Sequence, residues 1–374
     1  MFDTNKKLTS IIDNYKKPTL IYDLNLIENK MRFLKEICEN TPIKMLFTIK
    51  SFPFQEIISL AHQIMPGFEI SNLNEYQLLP KNLTNSIVSV NDPTGSVNTK
   101  IPNELMDHNR CYIHLDKLDR DEIFPYENKA NVSYGTRVSH SSLIDCQNSY
   151  VTESRFGTSI TDFNELKYLF SNHKIKGLHL HNGSEKNTMD DYLTMVDALL
   201  YTIKKEQIPI SFINLGGGIH YLNQKELTFL VQELSKRFTP LNIQGFFEPG
   251  RYVAEHCGYA LGKIMSIKQL NPKKYCLLLD LSNECHLKWS EQLILMNKNQ
   301  PALGAPSAKD AIQVFIGGST CFEHDCLGIF NISPIDGKLP FQPNEILTFG
   351  NINGYSAAWN IAFNGIDKAD LVFI

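Results

Sequence analysis

A chain of 374 residues with 43% hydrophobic and 20% charged residues has the composition of a folded globular protein, with length for two or three domains. A net charge of −4 without any dense Lys/Arg run excludes the electrostatic footprint of a nucleic-acid binder. The segment from Met1 to Lys7 lacks the apolar core of a signal peptide, and no apolar run is long enough to span a bilayer, so a cytoplasmic protein without membrane partners is expected. In that setting the eight scattered cysteines, none in a Cys-x-x-Cys pair, are expected to be reduced and mostly core residues.

In chain order, a short strand is predicted at Pro18–Asp23 and a helix through about Glu39. Apolar strands then alternate with helical segments. The strands are Ile43–Ile49, Phe68–Asn72, Ile87–Asn91, Cys111–Asp116, Asn131–Ser139, Ile175–Asn182, Ser211–Gly216 and Ile243–Glu248. Eight such units close into a (β/α)8 barrel of the TIM type, an α/β fold. Asn187 is predicted to cap a helix whose apolar face is Met189, Leu193, Val196, Leu200 and Ile203. Asn223 precedes a second such face of Leu227, Leu230, Val231, Leu234 and Phe238. After about Tyr252 the helical alternation stops. Strands at Tyr259–Leu270, Lys274–Ser282, Ala311–Ile316 and Glu345–Phe349 then predict a mainly β second domain, joined by the N-terminal strand at Leu20-Ile21-Tyr22. The expected division is a barrel over 25–250 and a β domain made of 1–24 and 251–374.

Barrel active sites gather at the C-terminal ends of the strands, and phosphate often binds after strands seven and eight. The first strand ends at Lys50. Taken alone it reads as the first solvated residue of a loop; desolvated, it could form a Schiff base. The seventh strand ends in Gly216-Gly217-Gly218, whose backbone can approach an anion, and the eighth in Glu248-Pro249-Gly250-Arg251, which adds a bidentate phosphate partner. On the sixth, His179 and His181 share one face. One reading is a metal pair, but that needs carboxylates and further histidines, usually including one on the first strand, which offers Lys50 instead. Another makes one imidazole a flat surface for an aromatic cofactor, with His179 a hydrogen-bonded residue lining the barrel. A phosphate cradle, a strand-end lysine, a stacking histidine and the acid Glu248 together suit pyridoxal phosphate, and no metal is expected.

These residues resemble the alanine-racemase-fold (type III) pyridoxal-phosphate decarboxylases of basic amino acids, which include ornithine, diaminopimelate and carboxynorspermidine decarboxylases. The ordered matches span nearly the whole chain: Ile49-Lys50-Ser51-Phe52, Ser154-Arg155-Phe156-Gly157, His181-Asn182-Gly183-Ser184, Asn214-Leu215-Gly216-Gly217-Gly218, Glu248-Pro249-Gly250-Arg251-Tyr252, Gly318-Ser319-Thr320-Cys321 and Asn353-Gly354-Tyr355. The resemblance implies that Lys50 binds the cofactor, His181 stacks on its ring and Glu248 meets the pyridinium nitrogen. Ser184, the three glycines, Gly250, Arg251 and Tyr355 would hold the phosphate. It further implies a homodimer with shared sites, in which Cys321 is the proton donor in the partner's site. Asp325, Glu323 and Arg155 would be substrate contacts, Asp325 meeting the substrate amine.

The Phe after Lys50-Ser51, the Asn before Leu215, the stretch Asp280–His286 and the ending Ala362-Phe363-Asn364-Gly365-Ile366 resemble the carboxynorspermidine subgroup. Arg251 stands where that subgroup tends to carry an acid and is closer to the ornithine and diaminopimelate pattern, and Glu323 lies two residues after Cys321, not adjacent as in the diaminopimelate enzymes. The implied substrate carries a 3-amino-3-carboxypropyl group as in carboxynorspermidine. The alternatives are the same group on a larger natural product (a microcin C7-type peptide–nucleotide), a diaminopimelate- or ornithine-type substrate, or a catalytically silent pyridoxal-phosphate-binding regulator.

Overall fold

The computed structural model describes the chain except residues 1, 98–99, 118–123, 140–154, 159–166, 169, 172–174, 182, 184–186, 291–293 and 298–310. The chain forms two compact units, Glu28–Val253 and Met1–Ile27 with Ala254–Ile374. The first strand, β1 (Thr19–Tyr22), belongs to the second of these.

Unit Glu28–Val253 is a barrel of parallel strands: β2 (Ile43–Met45), β3 (Phe47–Thr48), β4 (Gly67–Ile70), β5 (Ile87–Val90), β6 (Arg110–Leu115), β7 (Val132–Arg137), β8 (Ile175–His179), β9 (Phe212–Asn214) and β10 (Gln244–Phe247). β2 and β3 are two halves of one stretch interrupted at Leu46. β2 pairs with β10 and β3 with β4, so the broken strand is where the sheet closes on itself. Leu46 does not leave the ladder, because its N–H donates to Phe247 O at 2.8 Å. Thus the nine segments amount to the eight strands read from the sequence. β4, β5 and β9 are buried at every position, as expected of parallel strands covered on both faces. Leu46, Ile87, Phe212 and Phe246 fill the interior with Tyr112, whose ring lies 4.8 Å from Phe212 and 4.6 Å from Phe246.

The helix Met189–Glu206 is capped by Thr188, not Asn187: Thr188 Oγ1 accepts from Asp191 N while the Asp191 carboxylate accepts from Thr188 N. This reciprocal pair satisfies two terminal N–H groups, which a lone Asn187 cap would not. Its buried face is Tyr192, Met195, Val196, Leu199 and Ile203. The face is rotated from the predicted one because Tyr192 turns inward and donates to Gly217 O at 2.8 Å. The helix Gln224–Phe238 has the predicted cap, Asn223, and buries the predicted face of Leu227, Leu230, Val231, Leu234 and Phe238.

The second unit is mostly strand: β11 (Gly258–Asn271), β12 (Lys274–Leu279), β13 (Ile294–Asn297), β14 (Ile312–Gly317), β15 (Cys326–Ile332), β16 (Ile346–Ile352) and β17 (Asp370–Phe373), in the order β13-β16-β11-β12-β14-β15. β1 pairs antiparallel with β11 and parallel with β17, which joins the N-terminal strand to this sheet. Among the described residues no helix is long and apolar enough to cross a membrane.

Candidate active site

The strand carrying the lysine stops at Thr48, one residue earlier than predicted, and a single 3-10 turn, Ile49–Ser51, follows. Ser51 Oγ donates to Thr48 O at 2.7 Å and pins that turn. Ile49 and Ser51 are buried, while the Lys50 side chain is 48% exposed. Its Nζ donates to Glu69 Oε1 at 3.1 Å, Glu69 Oε2 at 3.2 Å and Ser71 Oγ at 3.4 Å. Glu69 is the third residue of β4 and its side chain is wholly buried. A second carboxyl, Glu75, accepts from Ser71 N at 2.7 Å; burial first and then the Glu69 charge push it up to about 7.

Glu248 follows β10 and is buried. Its Oε1 receives three donors: Ser89 Oγ at 2.8 Å, Asn91 Nδ2 at 2.8 Å and Asn214 Nδ2 at 2.6 Å. Among the described residues no donor reaches Oε2. Asn91 Nδ2 also lies 3.2 Å from Glu69 Oε1, so a polar chain runs from Lys50 through Glu69 and Asn91 to Glu248. Asn214 Nδ2 is 3.2 Å from His114 Nε2, and the His114 ring lies 4.9 Å from that of His179. Among the described residues neither ring nitrogen of His179 finds a hydrogen-bond partner, unlike the hydrogen-bonded residue expected from the sequence. The strand geometry seats it against the second imidazole, inside the barrel.

His181 is half-buried just past β8, and its Nδ1 accepts from Gly183 N at 3.0 Å, which leaves the proton on Nε2. Burial, then the charges of Arg137 and Lys50, push the imidazole down to about 3, so it is neutral at ordinary pH. The glycine turn is shaped around this ring. A Cβ at Gly216 would lie 2.7 Å from His181 Cδ2, and one at Gly218 (φ +85°) 2.6 Å from Gly183 O. Glu248 N donates to Gly216 O at 2.8 Å, tying the two strand ends together. Arg251 opens the short helix Gly250–Ala254 and its Nη1 is 3.5 Å from His220 Nε2. Ser184 lies outside the described residues. Arg155 lies over the Phe156 ring at 4.0 Å, and Arg137 approaches the same ring at 4.5 Å while pairing with Asp116 at 3.7 Å.

In the second unit, Cys321 is exposed at a turn and its N–H donates to Asn364 Oδ1 at 2.9 Å. Glu323 is exposed and Asp325 buried. The Asp325 Oδ1 accepts from Asn283 N at 2.8 Å and Glu284 N at 3.3 Å; its Oδ2 accepts from Thr320 Oγ1 at 2.7 Å and Thr320 N at 3.1 Å. Tyr355 begins the helix Gly354–Ala358, capped by Asn353 Oδ1, which accepts from Tyr355 N.

Glu69, Glu75, Ser89, Asn91, His114 and Arg137 were not among the residues expected from the sequence; Asn214, expected only as part of the glycine motif, proves to hold Glu248. The signal was present: Glu69 interrupts the apolar run Phe68-Glu69-Ile70, and Ser89 and Asn91 alternate along one strand face. Buried polar residues at that register of a barrel strand face its interior, where they need partners.

This mouth fits pyridoxal phosphate. A lysine amine, a carboxylate oxygen that no donor among the described residues reaches and a neutral imidazole gather at the strand ends, beside a glycine turn in which Gly216 and Gly218 leave no room for a Cβ. The fold and site therefore define a barrel protein built to use that cofactor. The profile of the family described as "Pyridoxal-dependent decarboxylase, pyridoxal binding domain" matches residues 24–255, and the chain belongs to this family. It is 22% identical to a diaminopimelate decarboxylase of Staphylococcus aureus (strain COL), over 98% of this chain and 90% of the relative. It is 21% identical to a carboxynorspermidine/carboxyspermidine decarboxylase of Herminiimonas arsenicoxydans, over 93% and 91%. Among solved structures, carboxynorspermidine decarboxylase of Campylobacter jejuni complexed with norspermidine shares the fold, with a TM-score of 0.72 at 19% identity over 96% of this chain and 94% of the other. The protein is a pyridoxal-phosphate-dependent amino acid decarboxylase of the ornithine, diaminopimelate and carboxynorspermidine group.

Proposed function

We propose that the protein decarboxylates an amino acid whose extended side chain bears an amine, with a 3-amino-3-carboxypropyl group as in carboxynorspermidine fitting best. The carrying observation is the divided role of Glu248. Its Oε1 is held by Ser89, Asn91 and Asn214, which leaves Oε2 as an oriented acceptor for a ring N–H. Bound pyridoxal phosphate supplies a sink for the electron pair left when carbon dioxide departs. The protein's own groups do the rest. Lys50 Nζ would be the amine that holds the cofactor; the buried Glu69 carboxylate keeps Nζ aimed and can hold its proton. Glu248 Oε2 would accept from the ring N–H and hold the proton there, which would favour decarboxylation over racemisation. The neutral face of His181 packs on the ring, and the amides of Gly216–Gly218 with Gly250, Arg251, Ser184 and Tyr355 bind the phosphate.

In this reading a second copy of the chain completes the site. Its Cys321 thiol gives the proton to the α-carbon, and its acidic residues near Cys321 meet the distal amine. Arg155 lies beside the substrate. A positioned acid contributes on the order of 10²–10⁴ in rate. Cys321→Ala is therefore expected to keep the cofactor's visible absorbance and lose roughly that factor in carbon dioxide release. The assay uses a panel of carboxynorspermidine, diaminopimelate, ornithine and lysine, and an unchanged rate on the best of them overturns the assignment.

A second reading keeps the reacting group and attaches it to a larger molecule such as a peptide–nucleotide. The half-exposed Trp289 and Trp359 favour it. Their rings are 5.8 Å apart and Trp289 is 6.2 Å from Tyr355, an aromatic surface on which a base could stack.

A further inference from the structure

Asp325 has no capacity left for a ligand. It is 4% exposed, and each of its oxygens already accepts two hydrogen bonds, two from the Asn283 and Glu284 amides and two from Thr320. A carboxylate has about four acceptor sites, so the count is complete. Its backbone is engaged as well: Asp325 O accepts from Gly318 N at 2.8 Å, and Asp325 N donates to Phe322 O at 2.9 Å. The carboxyl lies so close to Gly318 that a Cβ there would sit 2.3 Å from Oδ2 and 2.4 Å from Oδ1. The glycine of Gly318-Ser319-Thr320-Cys321 thus makes room for the carboxylate four residues past the cysteine.

The same carboxylate joins two segments. Asn283 and Glu284 open a π-helical turn, Asn283–Leu287, and Thr320 adjoins Cys321. The π-turn is further held to the chain around Asn364: Ile361 N donates to Cys285 O at 3.0 Å and Cys285 Sγ contacts Phe363 O at 3.5 Å. Asn364 in turn holds the Cys321 N–H. Cys321 is therefore fixed from both sides, by Asn364 at its own amide and by Asp325 through Thr320. Glu323, by contrast, is exposed and has no partner among the described residues.

We propose that Asp325 is a positioning residue that clamps the Cys321 turn to the Asn283–Leu287 turn, and that Glu323 is the acid that meets the distal amine of the substrate. This rests on the reading of Cys321 as proton donor. It reassigns Asp325, which the family resemblance implied to be the substrate-amine ligand.

The test uses the full-length holoenzyme and the best substrate of the panel. Asp325→Asn places an N–H₂ group against donors. It is expected to lower kcat by on the order of 10²-fold, the scale of a misplaced reacting group, with KM within about twofold. Combined with Cys321→Ala it should add nothing, because it acts through that thiol. Glu323→Gln should raise KM about ten- to a hundred-fold with little change in kcat, the scale of a lost charge-assisted hydrogen bond. Hydrogen exchange read by mass spectrometry should accelerate at the Asn283, Glu284 and Thr320 amides in Asp325→Asn. Where that variant does not fold, Thr320→Val removes one donor to the clamp and should give the same pattern more weakly.

A rise in KM alone for Asp325→Asn, an additive loss in the Cys321→Ala background, or unchanged exchange each overturns the proposal. Faster exchange with full activity in Cys321→Ala upholds the clamp and places the failure in the proton-donor reading.

Discussion

Replacing Glu248 with glutamine keeps a side chain of the same shape among Ser89, Asn91 and Asn214 but makes one of its two arms a donor. If the amide oxygen stays with the three donors, the N–H₂ group takes the place of Oε2, the acceptor that the proposed function gives to the ring N–H. If it flips, three donors confront a fourth. Either way the site loses a buried charge-assisted contact, so kcat should fall by at least ~10²-fold, on the scale of one lost electrostatic stabiliser. Steady-state kinetics with a matched melting curve would separate this from unfolding, since the second orientation also costs about 1–3 kcal/mol for unsatisfied donors. At the lysine the logic is complementary. Glu69 is the buried member of its pair with Lys50, so Glu69→Ala should slow recovery of the cofactor's visible absorbance after reconstitution, as Nζ loses its aim.

The glycine turn makes a sharper prediction at the level of a single element. Gly218 has φ +85° and no space for a Cβ, with Tyr192 Oη 2.9 Å away as well as Gly183 O, whereas Gly217 has Glu248 O at 3.0 Å as its nearest neighbour. Gly218→Ala should therefore cost at least about 1–2 kcal/mol and weaken cofactor binding strongly. Gly217→Ala should do less of both; a cofactor titration and a denaturant melt on each variant check the order. Much of this element could be seen in the sequence: three glycines alone serve ordinary tight turns, but after the seventh strand, with Arg251 after the eighth, they point to an anion site. The barrel strands were legible for a related reason: being buried on both faces, they are near-continuous apolar runs. Harder to read were β15 and β17. The first is mostly half-buried or exposed, with only Leu327 and Ile332 buried, around a glycine at φ +147°, and the second is a four-residue edge with no fully buried position. Glu69, Asn91 and Arg137 escaped notice because a polar residue at a strand end looks solvated until the sheet's closure turns it inward. The saturation of Asp325 depends on Asn283 and Glu284, some forty residues earlier, and no local pattern announces it.

For the whole chain, imidazoles that are buried or half-buried make stability depend on pH. Burial pushes His114 and His181 down to about 3, drives His179 well below the ordinary value and lowers His286. The unfolded chain binds these protons near pH 6.5 and the native chain does not, so stability is complete above that pH and declines as pH falls toward 3. Each histidine contributes a slope of up to about 1.4 kcal/mol per pH unit in that window. Unfolding free energies measured by denaturant at several pH values between about 4 and 7 should show the decline, and His179→Leu should remove one histidine's share of it.

The broken first strand also orders events in time. Ile43–Met45 has no partner until Gly245–Phe247 has been synthesised, about two hundred residues later, and Glu248 follows at once. Lys50 is made early but waits on a nascent chain whose barrel is still an open sheet. If Lys50 and Glu248 hold the cofactor as proposed, capture by both together is expected late, on a nearly finished barrel, rather than as a template around which the barrel is laid down.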